Sequence, residues 1–141
     1  MSVRPETIHL TRQWVEKAEE DLLNADHTLT LGEDCPLGTV CFHAHQCAEK
    51  YIKALLTFHG VAFPKTHDLL DLFHLLPASA EVGVDLTELS AINRFSVEAR
   101  YPGDWEPITR DDAEHAAGVA RKVRDAVRAR LPKSVLVKAK N

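Results

Sequence analysis

Apolar residues recur every three or four positions through most of this chain, and no segment alternates apolar and polar residues as a half-buried β-strand does. The clearest stretch is expected to begin between Pro36 and Thr39 and to end near His59, before Gly60. Its apolar positions are Val40, Ala44, Cys47, Ala48, Tyr51, Ile52 and Leu55. A helix with such a stripe buries it against other helices. The spacing therefore predicts an all-α fold, an antiparallel bundle of four to five helices.

Glycine and capping residues mark the ends of two further predicted helices. The first helix is expected from about Thr11 to Leu31, with Gly32 at its end. A short third helix is expected from Asp68 to about Leu76, and Thr66 is a suitable N-cap for it. The second helix lies between them, so the first half of the chain supplies three helices joined by short loops.

The second half of the chain contains two more helix start patterns. Asp85 is expected to cap a fourth helix, and Thr109 with Asp112 three residues later forms the pattern of a capping box. The last helix is expected to run through Arg130. Residues predicted to face the core are Leu86, Leu89, Ile92 and Phe95 in the fourth helix, and Ala113, Ala116, Ala120, Val123 and Val127 in the last.

The chain is long enough for one core and too short for two ordinary domains, since it has 141 residues of which 45% are hydrophobic. We expect a single domain over residues 1–141, with a core over about residues 8–131. Residues 132–141 are expected to form a basic tail, frayed over Lys133–Asn141.

Charge is distributed unevenly along the chain. The formal net charge is -4, which argues against a protein that coats nucleic acid through bulk charge. Residues 121–141 carry a side-chain charge of +7, however, against -11 for residues 1–120. We expect this positive charge on the outer face of the last helix and on the tail, where it complements a helix C-terminus or contacts RNA or an acidic partner.

Three cysteines and the character of the N-terminus indicate the compartment. The chain has an odd number of cysteines, namely Cys35, Cys41 and Cys47. Its first residues carry no signal or transit pattern. The uncharged stretches are too short or too polar to span a bilayer. The expectation is a soluble cytoplasmic protein without a membrane segment.

The second helix has an organised polar face opposite its apolar stripe. His43, Gln46, Lys50 and Lys53 lie within about 80° of one another on the helical wheel, with Glu49 nearby. The ordinary interpretation is a solvated helix face. The functional alternative is an anion site, because an imidazole, an amide and two ammonium groups can all donate to phosphate oxygens.

A metal site is the other interpretation of this helix, because Cys41, His43, His45 and Cys47 are ligand types that zinc accepts. The Cys41–His45 pair and the His43–Cys47 pair point about 160° apart on a helix, so four ligands cannot converge. No metal site is predicted, and the thiols are expected to be structural.

Two shorter motifs outside the second helix are candidates for anion binding. In Lys65-Thr66-His67-Asp68 a histidine precedes a helix N-terminus, where free N–H groups attract anions, although ordinary capping also explains the motif. Arg100 followed by Tyr101 can pair with a phosphate and pack on a base, although such a step is equally common as a surface ion pair.

Arg110 and His115 are the candidates for catalysis. An imidazole can move a 2′-OH proton while a guanidinium holds the phosphate, as RNA cleavage requires. The two residues lie about 140° apart on a continuous helix, however. Three acids, Asp111, Asp112 and Glu114, stand between them and repel a phosphate. An ordinary first helical turn explains the same residues.

Four sequence blocks together resemble the HEPN domain, in the stand-alone prokaryotic form, over about residues 8–131. The blocks are Trp14-x-x-Lys17-Ala18-Glu19-x-Asp21-Leu22, Cys41-Phe42-His43-Ala44-x-Gln46-Cys47-Ala48-Glu49-Lys50-x-x-Lys53-Ala54-Leu55-Leu56, Pro64-Lys65-Thr66-His67-Asp68-Leu69, and Ala99-Arg100-Tyr101-Pro102 followed by Thr109.

The resemblance implies a helical bundle, often a homodimer, that binds nucleotides and works with a minimal nucleotidyltransferase in a toxin–antitoxin-like or stress-related module. It implies no required cofactor, only an ATP-like nucleotide ligand or an RNA. The nucleotide-binding residues implied are His43, Gln46, Lys50, Lys53, His67, Arg100 and Tyr101.

Two alternatives to nucleotide binding follow from the same resemblance. Many relatives are metal-independent toxin-type endoribonucleases with an Arg-x(4–6)-His motif, which Arg110 and His115 match in spacing. The tyrosine that often follows that histidine is replaced here, since Ala116 and Ala117 occupy the next positions. The second alternative is a non-catalytic dimeric interaction module, in which helices such as Leu69–Leu76 pair across a two-fold axis.

Overall fold

Five α-helices account for most of residues 3–80, 82–96 and 107–136, which are the part of the chain that the computed structural model describes. The helices are α1 (Pro5–Leu29), α2 (Leu37–Phe58), α3 (Leu69–His74), α4 (Leu86–Ile92) and α5 (Arg110–Arg128). Short 3₁₀ turns lie at Gly32–Asp34, Ala78–Ala80, Asn93–Phe95 and Lys133–Val135. No β-strand occurs in these residues, so the all-α prediction is confirmed.

Helix α2 is the centre of the bundle, with α1 and α5 packed along it and α3 also in contact with it. All seven residues of its predicted apolar stripe are fully buried. The periodicity of the sequence therefore identified both the helix and the face that enters the core. None of the described helices is both long and apolar enough to cross a membrane.

Helices α1 and α2 end close to the predicted positions, but α1 begins earlier than expected. Pro5 is its first residue, six before Thr11, because proline has a suitable φ angle and lacks the N–H that would be unpaired there. Gly32 and Gly60 follow the two helices with φ angles of 67° and 70°, a left-handed conformation that other residues adopt at a cost.

The two short helices correct the sequence prediction in two places. Asp68, rather than Thr66, is the N-cap of α3, because its carboxylate accepts hydrogen bonds from the N–H groups of Leu70 and Asp71. Asp85 caps α4 as predicted, and Leu89, Ile92 and Phe95 are buried. Leu86 is 42% exposed, contrary to prediction, because the first turn of this helix extends past the edge of the core.

Helix α5 starts with the predicted capping box. The Thr109 hydroxyl accepts from the Asp112 N–H at 3.1 Å, and the Asp112 carboxylate accepts from the Thr109 N–H at 2.9 Å. The helix ends at Arg128, two residues before the predicted end. The five residues predicted to face the core are all buried: Ala113, Ala116, Ala120, Val123 and Val127.

Only the first residues of the predicted basic tail are described. Lys133–Val135 forms a 3₁₀ turn that packs against α1 with Val135 fully buried, whereas residues 137–141 of the predicted frayed segment lie outside the described residues. Arg124 and Arg128 turn inward toward the buried carboxylate of Glu19 instead of lining an outer face. Part of the positive charge of α5 therefore neutralises acids of α1.

Candidate functional site

The predicted polar face of α2 packs against α1 through Asp21. The Asp21 carboxylate accepts from the Lys50 ammonium group at 2.6 Å and from Nδ1 of His43 at 2.8 Å. All three side chains are mostly buried, with 11% of Asp21, 20% of His43 and 22% of Lys50 exposed. This part of the face is therefore an organised cluster, the Asp21 cluster, and not a solvated surface.

A second carboxylate on the same helix forms the centre of another cluster. Glu49 is 3% exposed, and its Oε2 accepts from the Lys53 ammonium group at 2.9 Å. Its Oε1 accepts from Nδ1 of His67 at 2.9 Å, and the side chain of His67 is 63% exposed. His67 belongs to the loop before α3, so this Glu49 cluster fixes the loop to α2.

The buried His45 and the half-buried Asn93 hold the same loop. His45 is fully buried, with Nδ1 3.8 Å from Glu49 Oε1 and Nε2 3.4 Å from the Asn93 side-chain oxygen. Asn93 also accepts from the Leu69 N–H and donates to the Asp68 carboxylate. Burial lowers the pKa of His45 despite the nearby Glu49 carboxylate, so the neutral imidazole is favoured.

Two aromatic rings pack around the Lys53 end of the Glu49 cluster. The Lys53 ammonium nitrogen lies 5.5 Å from the ring centroid of Trp14 and 5.6 Å from that of Phe63. The two rings meet edge to face at 6.2 Å. Lys53 is 7% exposed, so these cation–π contacts and Glu49 replace most of its hydration.

The carboxylates determine which ring nitrogen of His43 and of His67 carries a proton. An ionised carboxylate only accepts hydrogen bonds, so Nδ1 of His43 and Nδ1 of His67 must donate. The Nε2 atom of each ring is then left for a ligand: it accepts when the ring is neutral and donates when the ring is protonated.

Gln46 lies on the same face of α2, about one turn after His43 and one turn before Lys50. Its side-chain oxygen is buried and has no hydrogen-bond partner within the described ranges. Four of the seven predicted binding residues lie on one face of α2, the polar strip: His43, Gln46, Lys50 and Lys53. A fifth, His67, is held against this strip by Glu49. The other two, Arg100 and Tyr101, lie outside the described residues.

Arg110 and His115 have separate partners. Arg110 donates to the carbonyl oxygens of Leu29 at 2.9 Å and Gly32 at 3.3 Å, which satisfies the C-terminal end of α1. It also pairs with Glu114 at 3.1 Å, whereas Nε2 of His115 lies 3.7 Å from a Glu88 carboxylate oxygen on α4. These contacts account for both side chains as links between helices.

The surroundings of Cys41 and Cys47 indicate a structural role for these thiols. Cys41 and Cys47 are fully buried, and burial raises the pKa of Cys41 to about 12 and that of Cys47 well above its usual value. Within the described part of the chain, no three histidine, cysteine or acidic side chains are placed to share a metal ion.

Glu19 and Asp21 stand in the first of the resembling sequence blocks, but the sequence pattern assigned no role to these acids of α1, which face α2. Asp21 lies seven residues after Trp14, and Glu19 lies between the buried Val15 and Leu22, so both stand at positions of the inward face. Glu19 accepts from the Tyr51 hydroxyl and, at 2.7 Å, from Arg124. Burial raises the pKa of Glu19, but these hydrogen bonds outweigh it and the pKa lies below its usual value.

The similarity to known proteins extends over most of the chain. The family model for the HEPN domain matches residues 11–130. The crystal structure of TT1696 from Thermus thermophilus superimposes with a TM-score of 0.74 at 30% identity, covering 86% of this chain and 98% of that one. ST0689, described as an archaeal HEPN homologue, gives a TM-score of 0.64 at 26% identity, covering 85% and 96%. No functionally curated protein matches the sequence significantly.

Proposed function

This chain belongs to the HEPN domain family, and on that premise we propose that it binds a nucleotide on the polar strip of α2 as the non-catalytic partner of a minimal nucleotidyltransferase. The observation that supports nucleotide binding is the repeated arrangement along this strip. Each of two buried carboxylates, Asp21 and Glu49, holds one lysine and one imidazole in place.

The Asp21 cluster is the better position for phosphate. Asp21 uses one of the three N–H donors of the Lys50 ammonium group, which leaves donors for a ligand oxygen. The same carboxylate holds the His43 ring in place beside Lys50. Because Asp21 already fixes both side chains, binding costs less side-chain entropy than it would with free surface lysines.

Isothermal titration calorimetry with ATP tests this assignment. We expect Lys50→Ala to weaken ATP binding about tenfold, because a charge-assisted hydrogen bond contributes about 1.5–3 kcal/mol. Lys122→Ala is the matched control, since Lys122 is also paired with an acid, Glu88, but lies on α5. No ATP binding at millimolar concentration, or equal affinity of the two variants, contradicts the proposal.

The partner and the oligomeric state are parts of the proposal that the family suggests. Coexpression with a minimal nucleotidyltransferase encoded in the neighbouring reading frame is expected to yield a complex that copurifies at a fixed stoichiometry. Light scattering of the chain alone is expected to give the mass of a homodimer, twice 15.7 kDa. A monomer that fails to bind that nucleotidyltransferase would contradict both expectations.

RNA cleavage by Arg110 and His115 is not favoured, because both side chains already link helices. If the chain were nevertheless a toxin-type endoribonuclease, its expression would arrest growth and His115→Ala would relieve the arrest. Expression without growth arrest and with intact cellular RNA is the result expected of a non-catalytic binding protein.

A further inference from the structure

We infer that His67 and Trp14 bind the nucleoside end of the nucleotide, an inference that rests on the proposed function. In this arrangement His67 accepts a hydrogen bond from a ribose hydroxyl and the Trp14 ring packs against the base. The phosphates then lie toward the Asp21 cluster, so the polar strip of α2 binds the ligand in one orientation.

Hydrogen bonding determines what His67 can recognise. Its Nδ1 donates to Glu49 at 2.9 Å, so Nε2 of the neutral ring presents a lone pair to solvent. A lone pair binds a hydroxyl donor and repels an unprotonated phosphate oxygen. The ribose of a nucleotide carries hydroxyl groups of this kind, whereas its phosphates at neutral pH carry mainly acceptor oxygens.

The accessibility of the two lysines supports the same orientation. Glu49 holds the Lys53 ammonium group at 2.9 Å, and both side chains are at least 92% buried, so Lys53 offers little exposed surface to a phosphate beside His67. At the Asp21 cluster, by contrast, Lys50 keeps 22% of its side chain exposed and has further N–H donors. The phosphates are therefore better accommodated by Lys50 and the nucleoside by His67.

Trp14 supplies an apolar surface at the Lys53 end of the same cluster. Lys53 contacts both Glu49, at 2.9 Å, and the Trp14 ring, at 5.5 Å from its centroid, so Trp14 and His67 flank one buried ion pair. Trp14 also lines a shallow depression of about 440 Å³ together with Leu10, Gln13, Glu16 and Lys17. An aromatic ring in such a depression can pack against a base of any identity.

Three ligands separate the nucleoside contacts from the phosphate contacts: ATP, 2′,3′-dideoxy-ATP and inorganic tripolyphosphate. We expect dideoxy-ATP to bind about fivefold more weakly than ATP, as one lost hydrogen bond implies, and tripolyphosphate to bind more weakly still. His67→Ala is expected to remove the difference between ATP and dideoxy-ATP. His74→Ala, which removes an exposed imidazole from α3, is expected to retain it.

Tryptophan fluorescence provides a second measurement that leaves Trp14 intact. The chain has two tryptophans, so a Trp105→Phe background assigns the emission to Trp14. We expect ATP to change this emission and tripolyphosphate to leave it unchanged. Equal affinities for ATP and dideoxy-ATP with constant emission would overturn the nucleoside site while leaving phosphate binding in place. Failure of all three ligands to bind would overturn the proposed function and this inference with it.

Discussion

Nδ1 of His67 lies 2.9 Å from Oε1 of Glu49, and the histidine is 63% exposed whereas the glutamate is 3% exposed. A buried acid on α2 thus orients an exposed imidazole on the loop before α3. The same carboxylate holds Lys53 through its other oxygen. The Glu49 cluster consequently has two roles, since it fixes the loop to the bundle and it determines which ring atom of His67 faces solvent.

Glu49→Gln tests the structural role of this cluster. The substitution leaves the Lys53 ammonium group buried without its counter-ion, and breaking a buried pair in this way costs about 3–5 kcal/mol. Urea denaturation measures the loss in the free energy of unfolding. Glu114→Gln is the control: it breaks the exposed pair with Arg110 and is expected to cost less than about 1 kcal/mol. Similar losses in the two variants would show that Glu49 and Lys53 are not coupled in the interior.

His45 is expected to make stability depend on pH. Because burial lowers its pKa in the folded state, the unfolded chain binds a proton more readily. Its contribution to stability is complete above the unfolded pKa of about 6.5 and is lost as the pH falls from there through the folded pKa. We expect His45→Gln to reduce the slope of unfolding free energy against pH between about pH 7 and 5. His74→Gln is expected to keep the slope, and an unchanged slope in His45→Gln would contradict this account.

Cys41 and Cys47 are expected to resist thiol reagents in the folded state. Both are fully buried, and the pKa of Cys41 is raised to about 12, so almost no thiolate is accessible at pH 8. Iodoacetamide treatment followed by mass spectrometry should leave both thiols unmodified until urea is added, when all three cysteines react. Rapid alkylation of Cys41 in the native protein would contradict its burial.

Arg110→Ala separates a structural role from a catalytic one. Loss of the hydrogen bonds to the Leu29 and Gly32 carbonyl groups is expected to lower the free energy of unfolding by about 1 kcal/mol. Ribonuclease assays of the purified protein should show no activity before or after the substitution. If the unsubstituted protein cleaved RNA, and Arg110→Ala abolished that cleavage without changing stability, Arg110 would be catalytic rather than structural.

The sequence predicted the helices well because helix formation depends on local spacing. The stripe of α2 and the capping box at Thr109 and Asp112 involve residues within one helix, and both are confirmed. A helical wheel shows which residues share a face but not which residues of another helix meet that face. For this reason the pairing of Lys50 with Asp21, 29 residues away, was not predicted.

The same limit applies to the charged residues of α5. Composition located eight lysines and arginines in residues 121–141 but could not show that Arg124 and Arg128 turn toward Glu19 on α1. An acid that needs a partner from another helix can be recognised locally, because it lies next to the buried apolar stripe of its own helix. Glu19 and Asp21 both lie beside buried residues of α1, and an acid at such a position requires a partner from another helix.

Nuclear magnetic resonance of the isotope-labelled protein during a titration with ATP locates the nucleotide site residue by residue. We expect backbone amide signals to shift in two regions, along the polar strip between His43 and Lys53 and in the loop around His67, while the signals of α5 stay in place. Absence of any shift at millimolar ATP, or shifts confined to the basic residues of α5, would contradict the proposed binding on this strip.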